Sequence, residues 1–301
     1  MRTRVVVTML WTSVAAVTPS IGLTAECGLE RAFVHATKHH GDRNIYVDAD
    51  ALFFTAPMTV NTDGAPNSYH PEDPWGSELA INTICNGANA RMPDGRKLDY
   101  TQCRALVTAY REAKAAGWKA PQKPTMEFYG VAANGAIPCL IQSGPYAGYF
   151  VSTTSLAADE SKGRCDQDRY LNALTIPFSI YPGARAFTTR GVGKGDVVVY
   201  YNPANDVTEY GVVGDEGPSW GLAEGSVAFA KSLRKLTRDP QNRKDTYQFG
   251  VTKIHSLILP KETLSGPFTP ENVRSRAKAR FDAWGGQERF KSCIETIGAR
   301  P

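Results

Sequence analysis

The sequence predicts an α+β fold that is mainly β: a mixed β-barrel with added helices and a C-terminal helical pair. Three observations carry this. Six or seven short runs of β-branched, aliphatic and aromatic residues recur along the chain, each the length of one strand and bounded by turn residues. Between them, residues 100–116 form one clear helix, with apolar residues at helical spacing over several turns. A sharp helix start, Thr269-Pro270-Glu271, follows the last run, with Thr as cap and Pro at the first helical position.

Taken in order, residues 1–25 read as a secretion signal. Arg2 and Arg4 make a basic start, 5–17 is largely apolar, and Leu23-Thr24-Ala25 offers a cleavage site. Thr8, Thr12 and Ser13 interrupt the apolar stretch, which is too short for a membrane span. Residues 27–40 read as a helix with Leu29, Phe33 and Ala36 on one face, and this places His35 and His39 together on a face. Strands are expected near 51–55, 126–131, 149–151, 176–181, 197–201, 207–213 and 249–259. The helix 100–116 packs Cys103, Leu106, Val107 and Tyr110 and stops at Gly117. The turn Asn202-Pro203-Ala204-Asn205-Asp206 makes 197–201 and 207–213 a hairpin, and an amphipathic helix follows Glu224. The helix from Thr269 runs to Trp284, and a last one ends near Thr296. The expected division is a signal at 1–25, one domain over 26–264, and a helical appendage over 265–301 that Cys293 ties back.

The formal charge of +4 falls to +2 on loss of Arg2 and Arg4. Residues 231–301 hold 15 Lys and Arg against 7 Asp and Glu, a net of +8, which leaves −6 on residues 26–230. An acidic body suits a cationic partner. No nucleic-acid partner or stable membrane association is expected, and the mature protein is expected to be an extracellular monomer. All six cysteines lie beyond the signal, an even count that suggests three disulfides of unassigned pairing. No C-x-x-C occurs, so a zinc or redox site is unsupported. H-x-x-x-H-H from His35 lacks a third ligand, Asp48-Ala49-Asp50 lacks the rest of a calcium loop, and Gly191 to Gly195 leads into a strand, as a plain turn does. No metal or cofactor is expected.

The chemistry concentrates in 210–230, which holds Asp215 and Glu224 nine residues apart. Asp215 is expected just past a strand end, where Gly214 and Gly217 allow tight turns. Glu224 is expected in the first turn of the following helix, where free N–H groups favour a carboxylate. Two acids in unlike electrostatic settings meet the requirement of glycoside hydrolysis. A turn acid and a helix-start glutamate with no further role would give the same pattern. Trp220 lies between the acids, and Trp75 closes the polar loop Tyr69-His70-Pro71-Glu72-Asp73-Pro74-Trp75. Exposed indoles stack on sugars and attract amines; Asp63, Glu72 and Asp73 are the candidate amine-binding carboxylates.

The segment 210–230 resembles the catalytic segment of the chitosanases of glycoside hydrolase family 75, with its Y/F-G-V-x-G-D strand end, Gly-rich loop and G-E-x-S. Residues 53–64, F-F-T-A-P-M-T-V-N-T-D-G, are similar to the family's early strand, and 169–183 to the segment before its catalytic hairpin. Together the likeness spans roughly 43–260. Ala223 stands where the family has Gly, Glu216 where Thr is common, and Asn61 and Thr62 where fungal members carry more Asp and a Cys. The resemblance implies a six-stranded double-psi barrel and a secreted, endo-acting hydrolase cleaving β-1,4 linkages of chitosan by inversion, without a metal. Asp215 and Glu224 match the two essential acids; Asp215 is assigned as general acid and Glu224 as base, and the sequence permits the exchange. Inversion implies carboxyls about 6.5–9.5 Å apart, in one groove lined by Asp63, Trp220 and at least one of Glu72 and Asp73. Two other functions fit the same pattern: peptidoglycan cleavage by Asp215 alone, and a non-catalytic barrel that binds wall polysaccharide.

Overall fold

The computed structural model describes residues 26–118 and 124–298, so the expected signal lies outside the described residues. Glu30–His35 (β1) and Arg43–Val47 (β2) form an antiparallel hairpin, and β2 pairs with Leu52–Asn61 (β3). The helix expected over 27–40 is therefore corrected to a strand and turn. Phe33 and Val34 are aromatic and β-branched, and they pair across the ladder with Ile45 and Asn44. Alternation leaves Val34 in solvent and buries His35, whose ring nitrogen meets the Gly221 carbonyl at 3.0 Å.

Between β3 and the next barrel strand lies a lobe. Ala88–Arg91 (β4), Lys97–Leu98 (β5) and Thr125–Phe128 (β6) make a small sheet against which Cys103–Ala115 (α1) packs Leu106, Val107 and Tyr110. Asp99 caps the short turn before α1 by accepting from the Thr101 N–H. Ala133–Asn134 (β7) and Ile137–Pro138 (β8) form a minimal hairpin. The strand expected at 149–151 is only a bridge, Phe150 to Leu140. The lobe has its own core around Tyr69, Tyr110, Met126 and Phe150.

Phe178–Pro182 (β9) leads into Arg185–Thr188 (α2), then Asp196–Asn202 (β10) and Val207–Gly217 (β11) form the expected hairpin. Glu224–Ser226 (β12) runs directly into Val227–Arg234 (α3). Arg243–Tyr247 (α4) precedes Val251–Thr263 (β13), and Pro270–Trp284 (α5) and Gly286–Gly298 (α6) end the described chain. Strands β3, β12, β9, β11, β10 and β13 form a ring closed by the β13–β3 pairing. The order is mixed: β12 is parallel to β3 and β9 to β11, and the other four contacts are antiparallel. This is the closed mixed barrel expected from the strand signals, with the six strands that the family resemblance implied.

The main core joins Phe53, Phe178, Val198, Val212, Phe229 and Leu257 of the barrel and α3 to Phe281 and Phe290 of the helical pair. Thr269 caps α5 as expected, its side chain accepting from the Asn272 N–H. Three disulfides form: Cys27–Cys293, Cys85–Cys103 and Cys139–Cys165. The first ties the start of the described chain to α6. Among the described residues no helix is long and apolar enough to cross a membrane.

Candidate active site

Strand pairing places the two acids. Asp215 on β11 is in register with Ile180 on β9, and Glu224 on β12 is in register with the same Ile180. Residues opposite one another in a sheet project from the same face, so both carboxyls rise on one side, two strand spacings apart, about 9.5 Å between backbones. The row continues to Thr59 on β3, opposite Glu224. Asp215 lies within β11 rather than past its end, at a bulge between Val213 and Asp215. Gly214 serves close packing there. A Cβ on it would come within 2.7 Å of both Leu171 and the Phe178 ring.

Glu224 also departs from expectation. Ser226 is the cap of α3, accepting from the Phe229 N–H, so Glu224 sits on β12 before the helix and outside its first turn. Before it, Ala223 takes a left-handed φ of 58°, a conformation that glycine adopts without Cβ strain.

Both carboxyls keep a little surface but are surrounded by protein. Burial pushes each above the usual carboxylate range. Asp215 has more to offset this. Its Oδ1 accepts from the Ser155 N–H (3.0 Å) and the Glu216 N–H (2.8 Å), and the Ser155 side chain and the Lys194 ammonium act in the same direction. Glu224 receives one long hydrogen bond, from Asn61 Nδ2 to Oε2 at 3.4 Å, and the charge of Asp215 raises it further.

The acids open onto two recesses rather than one groove. Glu224 lines a cavity of about 110 Å³ with Thr37, His39, His40, Thr59 and Trp220. Asp215 lines a cleft of about 500 Å³ with Tyr129, Thr153, Ser155, Arg164 and Tyr170. Asp63 is electrostatically coupled to both acids, and its carboxyl accepts from Tyr69 Oη at 2.5 Å. Tyr129, half-exposed, feels both Asp63 and Tyr100, and Tyr100 lies 6.3 Å from Trp220. Aromatic rings thus run from one recess toward the other.

The remaining sequence candidates divide. Trp220 is at the site, but Lys38 sits 5.3 Å over its ring and His39 meets it edge-on at 5.3 Å. Glu72 pairs with Lys114, away from both recesses. The Asp73 carboxylate is occupied by the backbone N–H groups of Ser77, Glu78, Leu79 and Ala80 and organises its own loop. Trp75 packs against the lobe core. The expected lining by Glu72 or Asp73 is corrected accordingly. Among the described residues no group of three or more His, Cys, Asp or Glu is placed to hold a metal. Sequence reasoning missed Asn61, Tyr69, Ser155, Tyr129 and Lys194. Asn61 stood in the segment 53–64, Tyr69 opened the loop that ends at Trp75, and Lys194 stood in the Gly191–Gly195 run, where it supplies the cation beside Asp215, but none had been given a role.

No protein-family model matches this chain, and no curated protein matches it either.

Proposed function

We propose that this protein is a secreted, endo-acting glycoside hydrolase that cleaves β-1,4 linkages of chitosan by inversion. The observation that carries the proposal is the common register of Asp215 and Glu224 with Ile180. It puts the two acids on one sheet face with backbones about 9.5 Å apart, and inversion calls for carboxyls about 6.5–9.5 Å apart with a water between base and sugar. Glu224, with the weaker stabilisation of its anion, carries the proton and protonates the glycosidic oxygen. Asp215, whose anion has more stabilisation than that of Glu224 from amide donors and Lys194, takes a proton from the water that attacks the anomeric carbon from the opposite face. This exchanges the roles assigned from sequence. The earlier basis for Glu224 as base, a helix N-terminus, is absent at its position.

The balance of −6 on residues 26–230 favours a cationic glycan, and no residue of 231–301 lines either recess. Export is supported by the three disulfides and by the basic-apolar character of residues 1–25. One observation favours a second substrate: Lys38, His39 and His40 cluster around Trp220 and the Glu224 recess, a setting suited to a glycan bearing carboxylates, such as peptidoglycan. Reducing-end release from chitosan, chitin and peptidoglycan, measured side by side with wild type, Asp215→Asn and Glu224→Gln, separates these. The proposal expects release from chitosan, with both variants reduced about 10²–10⁴-fold. Release from peptidoglycan alone, unaffected by Glu224→Gln, would establish single-acid chemistry instead.

A further inference from the structure

Tyr129, which directly follows β6, is an aromatic residue of the cleft that the two-acid reaction does not use. Of the large apolar and aromatic side chains exposed among the described residues, it alone lines one of the two recesses, the cleft that holds Asp215. It is 52% exposed, so much of its ring is left uncovered by the fold.

The residue is nevertheless held at three points. Its N–H donates to the Gly87 carbonyl at 2.9 Å, its carbonyl accepts from Thr153 Oγ1 at 3.0 Å, and its hydroxyl donates to the Cys85 carbonyl at 3.3 Å. The next residue, Gly130, donates to the same Gly87 carbonyl at 3.0 Å, and Cys85 is tied to the start of α1 by its disulfide with Cys103. A side chain that is free in water must be ordered when a ligand lands on it, which weakens binding; Tyr129 is already ordered in the folded protein. Its hydroxyl proton is engaged by Cys85. Burial, then the charges of Asp63 and Asp99, pushes the phenol above its ordinary range, so the side chain stays a neutral ring.

We propose that Tyr129 is a stacking platform for one sugar ring of the glycan, on the Asp215 side of the scissile bond, and that it binds through its ring rather than its hydroxyl. This rests on the reading of the cleft as a glycan site. The face of a β-linked pyranose carries C–H groups and is apolar, so covering an exposed aromatic ring removes apolar surface of both partners from water. A glycan that brings an anomeric carbon to Asp215 has to pass through the cleft that Tyr129 lines. The polar side chains of Thr153, Ser155 and Arg164 in the same cleft are available to the hydroxyl groups at the sugar's edge.

The test is calorimetric binding of a β-1,4-linked glucosamine hexamer to the full chain carrying Asp215→Asn, which slows hydrolysis. Adding Tyr129→Ala should raise Kd about three- to tenfold, the worth of one aromatic contact, while Tyr129→Phe, which keeps the ring and drops the Cys85 contact, should stay within about twofold. In the active protein Tyr129→Ala should raise KM by a like factor and leave kcat nearly unchanged. Tyr129→Trp serves if the Ala variant does not fold: the hexamer should change its emission beyond the change seen with Tyr129 in place. An unchanged Kd in Tyr129→Ala, or an emission in Tyr129→Trp that the hexamer leaves unaltered, overturns the platform. So does Tyr129→Phe as weak as Tyr129→Ala, which would assign the role to the hydroxyl, or a fall in kcat with KM unchanged, which would make Tyr129 act on the reaction itself. If the hexamer binds and loses affinity in Tyr129→Ala while the wild-type protein leaves it uncleaved, the platform stands and the hydrolytic reading fails. A hexamer that the wild-type protein does not bind at all removes both.

Discussion

Lengthening Asp215 by one methylene, Asp215→Glu, keeps the charge and the chemistry of the base and changes only its place. The backbones of Asp215 and Glu224 stand two strand spacings apart, about 9.5 Å, on either side of Ile180. One added C–C bond moves the carboxylate by about 1.5 Å. The Ser155 and Glu216 N–H groups, at 3.0 and 2.8 Å from the present oxygen, would lose it. The room for the attacking water between base and sugar would shrink by a similar length. A misplacement of about 1 Å costs on the order of 10²-fold in rate, or about 2.7 kcal/mol at 1.36 kcal/mol per tenfold. Asp215→Glu should therefore lose about 10²-fold in kcat, and Asp215→Asn between about 10² and 10⁴-fold. The assay is initial-rate reducing-end release on chitosan, with proton NMR of the first product to read its anomer. Inversion of a β-linkage gives the α-anomer first. Near-normal turnover by Asp215→Glu, or a β-anomer as first product from the wild type, would refute the water-mediated geometry.

Further outcomes follow from the same contacts. Gly214→Ala should destabilise the protein by about 1–3 kcal/mol, read by chemical denaturation, because the new Cβ meets Leu171 and Phe178 at 2.7 Å; an unchanged midpoint would mean β11 can shift there. Burial raises the folded-state pKa of Glu224, so its contribution to stability is full below its unfolded value of about 4.3 and is lost as pH rises through the folded value. Glu224→Gln should then match the wild-type Tm near pH 4 and exceed it increasingly toward neutral pH; a constant difference across that window would contradict the burial of the carboxyl. Replacing Cys293 by Ser opens the Cys27 link, which spans 266 residues, and should cost about 2–5 kcal/mol in a thermal or denaturant melt; a loss below that range would show the helical pair held by its packing and ion pairs without the disulfide.

Local pattern determined much of this molecule. The 197–213 hairpin, the helix stopped at Gly117 and the cap at Thr269 all appear as the turn and capping chemistry dictates, because each depends on residues a few positions apart. Even cysteine count and export signal foretold three disulfides, and the recurrence of short strands foretold a mixed barrel. What the local pattern left open depended on partners distant in sequence. Residues 27–40 carry a helical spacing of Leu29, Phe33 and Ala36, yet pairing with Ile45 and Asn44 makes the segment extended. Glu224 looked like a helix-start residue, and pairing with Thr59 and Ile180 drew it into the sheet, removing the helix N-terminus that would have favoured its anion. Asp63, Glu72 and Asp73 are equivalent loop acids by sequence; only the fold directs one to Tyr69 and the two acids, one to Lys114 and one to four backbone amides. Spacing fixes the elements that rest on turns and caps, because those energies are local. Strand register and burial fix which carboxyls meet and which hold a proton, because these depend on groups brought together from far apart in the chain, Asn61 and Glu224 across 163 residues.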